Sequence, residues 1–141
     1  MRGSDEAGRA VEIARSVIRC RSVTPAEGGA LDYLQELLEA RGFACRRLHF
    51  ADSDTPDVQN LYARIGTGEP HLCFAGHSDV VPPGNERHWS VPPFAGEVRD
   101  GALYGRGAVD MKGAIGAFVG ALFAYLDQHD GKPPGSVSLL I

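Results

Sequence analysis

Gly113–Leu126 runs for fourteen residues without a charged side chain, bounded by Lys112 and Asp127. A membrane-spanning helix needs ~20 apolar residues, so this segment reads as a helix buried inside a protein. Ile115, Phe118, Val119, Leu122 and Leu126 share one helical face. Gly116 and Gly120 lie on a neighbouring face and are expected to let the helix lie close to a sheet. A helix this apolar must be covered, and the rest of the chain has to supply the cover.

Upstream, Val11, Ala14, Val17 and Ile18 repeat at helical spacing until the breaker Ser22-Val23-Thr24-Pro25. Leu31, Leu34, Leu37 and Leu38 repeat it again, with Gly42 where a helix C-cap belongs. Phe43–Phe50 reads as a strand, Ala51–Gln59 as a polar loop, and Asn60–Ile65 as a half-buried strand with Leu61, Ala63 and Ile65 on one side. After the turn Gly66–Pro70, the short apolar run Leu72–Ala75 suits a strand covered on both faces. Pro82, Pro83, Pro92 and Pro93 mark an irregular loop, which Trp89 and Phe94 are expected to anchor. Glu97–Arg99 and Ala102–Tyr104 flank Asp100-Gly101, the signature of a type I′ hairpin.

These elements predict the α/β class: a three-layer α/β/α arrangement around a mixed sheet, with residues 1–141 forming part of one domain. The apolar strand Ser136–Ile141 has nothing behind it, so the domain is expected to be truncated at its C-terminal end. Val137–Ile141 would then be an exposed edge ready to pair with other chains, lowering solubility.

Composition narrows the function classes. The net charge of −4 is spread along the 141 residues, with no basic face for nucleic acid or anionic membrane. The N-terminus lacks the apolar core of a signal peptide. Cys20, Cys45 and Cys73 are isolated, without Cys-x-x-Cys spacing, and are expected to be packing residues in a cytoplasmic protein. His49, His71, His88 and His129 read as surface or strand-end residues.

The chemistry concentrates between His77 and Asp110. His77 follows an apolar strand through Gly76, at the strand end where open α/β sheets bind ligands. Asp79 stands two residues on, so its side chain can lie beside His77. A carboxylate next to a metal-bound His fixes its tautomer, although a loop His paired with an Asp needs no metal. Asp110 precedes the core helix, where it can serve as an N-cap or as a carboxylate bridging two metal ions. Gly105-x-Gly107 hints at a dinucleotide-binding turn, but Asp110 stands where its third glycine belongs and would repel a pyrophosphate. Arg106 can pair with a core carboxylate or with an acidic substrate, the structural role being favoured.

Together, Gly76-His77-Ser78-Asp79-Val80-Val81-Pro82, Trp89 with Pro92-Pro93-Phe94, and Gly105-Arg106-Gly107-Ala108-Val109-Asp110-Met111-Lys112-Gly113 resemble the M20 family of zinc amidohydrolases. The resemblance extends to Arg21-Ser22-Val23-Thr24-Pro25 and Asn60-Leu61-Tyr62-Ala63-Arg64, with Ser78 where Thr is usual. It implies a zinc-peptidase-like catalytic domain in which His77 ligates one zinc, Asp110 bridges two, and Asp79 is the catalytic residue that orients His77 and influences the general base. It implies a cis Asp110–Met111 bond, two Zn2+ per complete site with Co2+ able to substitute, and a small N-acyl amino acid as substrate. The general-base Glu, the remaining ligands, and a lid domain that forms a homodimer would all follow Ile141. The chain alone is therefore expected to bind zinc weakly and to lack activity.

Overall fold

The uncharged segment Gly113–Leu126 is helical throughout. In the computed structural model, which describes residues 2–141, it forms helix α3 (Gly113–Gln128). Before it come α1 (Arg2–Arg19), α2 (Ala30–Glu39), β1 (Ala44–Phe50), β2 (Val58–Ile65), β3 (His71–Ala75), β4 (Glu97–Arg99) and β5 (Ala102–Tyr104), and after it β6 (Ser136–Leu140). β4 and β5 form a separate hairpin through Asp100 and Gly101, both at positive φ as a type I′ turn demands. The other strands form one sheet in the order β1-β2-β6-β3. β6 runs antiparallel to β2 and parallel to β3, so the sheet is mixed and β3–α3–β6 is a parallel crossover unit.

One hydrophobic core joins all three helices to the sheet. Ile13 and Val17 of α1, Leu31, Leu34 and Leu38 of α2, and Ile115, Val119, Phe123 and Leu126 of α3 meet Leu61, Ala63 and Leu139. Fully burying a leucine contributes about 1.5–3 kcal/mol, so α2 is held by its inward face. It closes with Gly42 at φ 83, where the N–H groups of Gly42 and Phe43 bond the carbonyls of Glu39 and Leu38. This is the paired pattern of a Schellman ending, for which a left-handed residue is required. On α1 the buried face is Ile13, Ala14, Val17 and Ile18, and Val11 is turned outward.

Several expectations are corrected by the strand order. Val137–Ile141 is no edge: β6 is paired on both sides, and Ile141 exchanges backbone bonds with Leu61. The edges are β1 and β3, and His71, Leu72 and Cys73 of β3 are exposed, so β3 is not covered on both faces. Phe74 is clamped there, stacked on Phe118 at 4.4 Å. Cys73 is accordingly a surface thiol, while Cys20 and Cys45 are partly buried. All three helices join the core on one sheet face. The α/β class with a mixed sheet stands, and the described residues furnish the sheet and one of its two helical layers.

Gly116 and Gly120 face α1, not the sheet. A Cβ on Gly116 would lie 2.6 Å from the Ala10 carbonyl oxygen and 2.7 Å from the Ala14 Cβ, and one on Gly120 would lie 2.8 Å from the Ala10 Cβ. The small residues bring two helix backbones together. The larger residues of α3 fill the space above the sheet.

Candidate metal centre

The chain leaves β3 through Gly76, whose N–H bonds the Leu140 carbonyl, and is then caught from the other side. Val80 and Val23 form an isolated parallel bridge, with Val80 N–H on Ser22 O at 2.8 Å and Thr24 N–H on Val80 O at 3.0 Å. Inside this bridge the buried Ser22 hydroxyl donates to the Ser78 carbonyl at 2.7 Å. Backbone bonds on both flanks therefore fix where His77 and Asp79 stand. Asp110 arrives from the opposite direction on the turn after β5. Gly107 lets that turn close over Val80, since a Cβ there would come within 2.6 Å of Val80 Cγ1.

These paths bring the three site candidates together. His77 Nε2 lies 3.0 Å from Asp110 Oδ1. His77 Nδ1 lies 3.0 Å from the backbone carbonyl of Asp79 and 3.4 Å from its carboxylate. Orientation of the ring thus comes first from the main chain of Asp79 and only second from its carboxylate. The Asp110–Met111 bond is cis, as the resemblance implies. Asp110 has φ −125 and ψ 98, so it is not the cap of α3; Lys112 occupies the cap position and no side chain caps the helix.

Carbonyl and carboxylate oxygens only accept, so His77 satisfies both neighbours by carrying a proton on each ring nitrogen. Its pKa is raised above the ordinary imidazole value, chiefly because the Asp79 carbonyl accepts from the ring, with a smaller contribution from Asp110. A metal cation on Nε2 would replace that second proton between the same two atoms. In kind, then, the donors fit zinc: one imidazole nitrogen and one carboxylate oxygen aimed at a common point. In number they do not complete a site, because among the described residues no group of three His, Cys, Asp or Glu side chains converges. The side chains of His77, Asp79 and Asp110 are 47, 46 and 84 % exposed, so the site is an open rim.

Two clefts meet at this rim. One, of ≈ 220 Å³, is lined by Thr24, Pro25, Asn60, His77, Asp79 and Ile141 among others. The other, of ≈ 310 Å³, lies between Val80-Val81 and Gly105–Asp110, with His77 and Asp79 on its wall.

Sequence reasoning missed the support beneath the rim. Lys112 is fully buried, and its Nζ donates to the Cys20 carbonyl at 2.8 Å, tying the turn after Asp110 to the end of α1. Burial pulls its pKa down to about 8, with the neighbouring Cys20 and Asp79 side chains pulling weakly the other way. The available signal was a lysine directly preceding an uncharged helix. The Ser22–Ser78 bond had no signal, since it joins two segments far apart in sequence.

The fold and rim define a class: an α/β domain presenting a histidine and two carboxylates at the carboxyl end of a sheet strand. The sequence profile of peptidase family M20/M25/M40 matches residues 73–141. Succinyl-diaminopimelate desuccinylase of Bradyrhizobium sp. is 59 % identical over 132 residues, covering 94 % of this chain and 34 % of the relative. The enzyme of that name from Rhodospirillum centenum is 55 % identical over 131 residues, covering 93 % of this chain and 34 % of the relative. Among solved structures, human carnosine dipeptidase 1 superposes with a TM-score of 0.77 at 22 % identity, covering 95 % of this chain and 31 % of that one. An M20 family metallo-carboxypeptidase of Sulfolobus solfataricus gives a TM-score of 0.76 at 25 % identity, covering 93 % and 30 %. The chain is similar to the M20 peptidase family over residues 73–141, and it spans about a third of the length of the curated relatives it matches.

Proposed function

We propose that this chain supplies the N-terminal, metal-facing part of the catalytic domain of a dinuclear zinc amide hydrolase. Its substrate would be N-succinyl-LL-2,6-diaminopimelate, cleaved by water to succinate and LL-2,6-diaminopimelate. The observation that carries this reading is the 59 % identity to a desuccinylase across 94 % of the chain, a span that includes both halves of the rim. In this reading His77 ligates one zinc, Asp110 bridges the pair, and Asp79 is the catalytic-site residue that holds His77 in register. Zinc, when bound, polarises the amide carbonyl and acidifies water. Asp79 keeps the Nδ1 proton of His77 in place through its carbonyl, leaving Nε2 as the ligating atom. The general base and remaining ligands are assigned to the part of the relatives that this chain does not span, as is the domain through which the complete protein would form a homodimer. The free thiols Cys20, Cys45 and Cys73 support placing it in the cytoplasm.

A chimera tests this: residues 1–141 joined to the remaining part of the Bradyrhizobium enzyme, loaded with zinc, and assayed for succinate release. Activity that is lost in His77→Ala and Asp110→Asn is the expected result. A folded, zinc-loaded chimera that cleaves a dipeptide but not the succinyl substrate would overturn the substrate assignment. The chain alone is expected to lose its zinc on dialysis, because a catalytic zinc takes about three protein ligands and the rim offers two.

A further inference from the structure

Arg106 lines the ≈ 310 Å³ cleft beside His77, Asp79 and Asp110. Its main chain is pinned by a 2.6 Å bond from its N–H to the Pro93 carbonyl. Its guanidinium lies over the Trp89 ring, 5.0 Å from the centroid, and the indole is itself fixed by a 3.0 Å bond from Nε1 to Pro83 O. The fork is therefore held flat and oriented. Its donors are nearly idle. One Nη reaches the Pro82 carbonyl at 3.5 Å, at the limit of a hydrogen bond, and the buried Nε has no partner among the described residues. The two carboxylates sharing the cleft do not satisfy it, since Asp79 and Asp110 both pair with His77. Most other arginines with resolved partners in this chain, such as Arg9, Arg15, Arg21, Arg41 and Arg47, pair with a carboxylate.

An oriented guanidinium with free donors, placed in a cleft and lacking a counter-ion, is built to receive a carboxylate. We propose that Arg106 is a binding residue for a carboxylate group of the ligand, held in the cleft next to the candidate metal centre. The proposed function enters only in choosing which carboxylate arrives: the substrate's succinyl end carries one.

Trp89 is the single tryptophan of the chain and stacks on Arg106, so its indole N–H resonance is a local reporter. The experiment titrates succinate into the 15N-labelled, metal-free chain at low salt, with succinamide as the uncharged control. The expected result is a saturable shift of the indole peak with succinate and none with succinamide. Arg106→Gln weakens binding at least tenfold, and Arg106→Lys, which keeps the charge but not the fork, falls between. Amide dispersion verifies that each variant is folded. No saturable shift in the native chain, an equal response to succinamide, or undiminished binding in folded Arg106→Gln would each overturn the assignment. No metal or turnover is involved, so failure here is distinct from failure of the chimera to hydrolyse its substrate.

Discussion

The α1–α3 contact and the His77–Asp110 rim are both places where distant parts of the chain meet, and they are held in opposite ways. At the contact, Gly116 and Gly120 admit the backbone of α1 at Ala10 and Ala14, and the Arg9–Asp127 ion pair lies outside this packed stretch, towards the end of α3. At the rim the side chains are nearly half exposed or more, and their positions come from backbone bonds made by Ser22, Thr24, Val80 and Gly107. The contact contributes stability and the rim presents chemistry. A protein can therefore change one without much disturbing the other, and substitutions at each should separate the two properties.

The largest effect is expected at the contact. Gly116→Val forces β-branched bulk into a space where even a Cβ is too close to Ala10. Overpacking of this kind costs about 3 kcal/mol, measurable as a lower urea midpoint, while the His77 titration should be unchanged. A shift of His77 in this variant would break the separation. Intermediate behaviour is expected at the far end of α3, where Asp127 joins Arg41 and Arg9. The bonds from Arg41 and then Arg9 hold its carboxyl down at about 2. Because the folded pKa is depressed, the contribution is present above the ordinary carboxylate value and is lost as pH falls from about 4 towards 2. Asp127→Asn should unfold earlier than the native chain at neutral pH, and the two curves should converge near pH 2. Asp110→Asn, by contrast, alters an 84 % exposed side chain and should move stability by less than about 0.5 kcal/mol.

How much of this was legible in the sequence follows the same division. The helices were readable because leucines at helical spacing and Gly42 act locally. His77, Asp79 and Asp110 were readable because their residue types sit at strand and helix ends. Strand order was not readable: the apolar run Val137–Ile141 looks the same as an edge or as a centre, and only pairing with both β2 and β3 decides it. The roles of Gly116 and Gly120 were misassigned for a related reason. Helical spacing shows that two glycines share a face but not whether a sheet or another helix fills it. Asp110 offered two local readings, cap or ligand, and the course of the chain through Met111 removes the first by turning the carboxylate towards His77.

The smallest predicted effect probes what orients His77. If the carboxylate of Asp79 were the main partner of Nδ1, Asp79→Asn would return the imidazole to its ordinary pKa. The nearer acceptor is the Asp79 backbone carbonyl, at 3.0 Å against 3.4 Å for the carboxylate, and this bond is the leading cause of the raised pKa. Asp79→Asn keeps that carbonyl and the Asp110 carboxylate. Its His77 should therefore still titrate above a free imidazole, falling only part of the way, while Asp110→Asn removes the charge facing Nε2 and leaves Nδ1 bound. A protonated His77 is favoured by the fold, so its small contribution to stability is present below the ordinary imidazole pKa and fades as pH rises through the raised one. Histidine side-chain NMR titrations of the two variants measure this. Full return to the ordinary value in Asp79→Asn would place control of the ring in the carboxylate after all. The rim would then be held by side chains, as the sequence alone had suggested, and its contrast with the helix contact would lie in exposure alone.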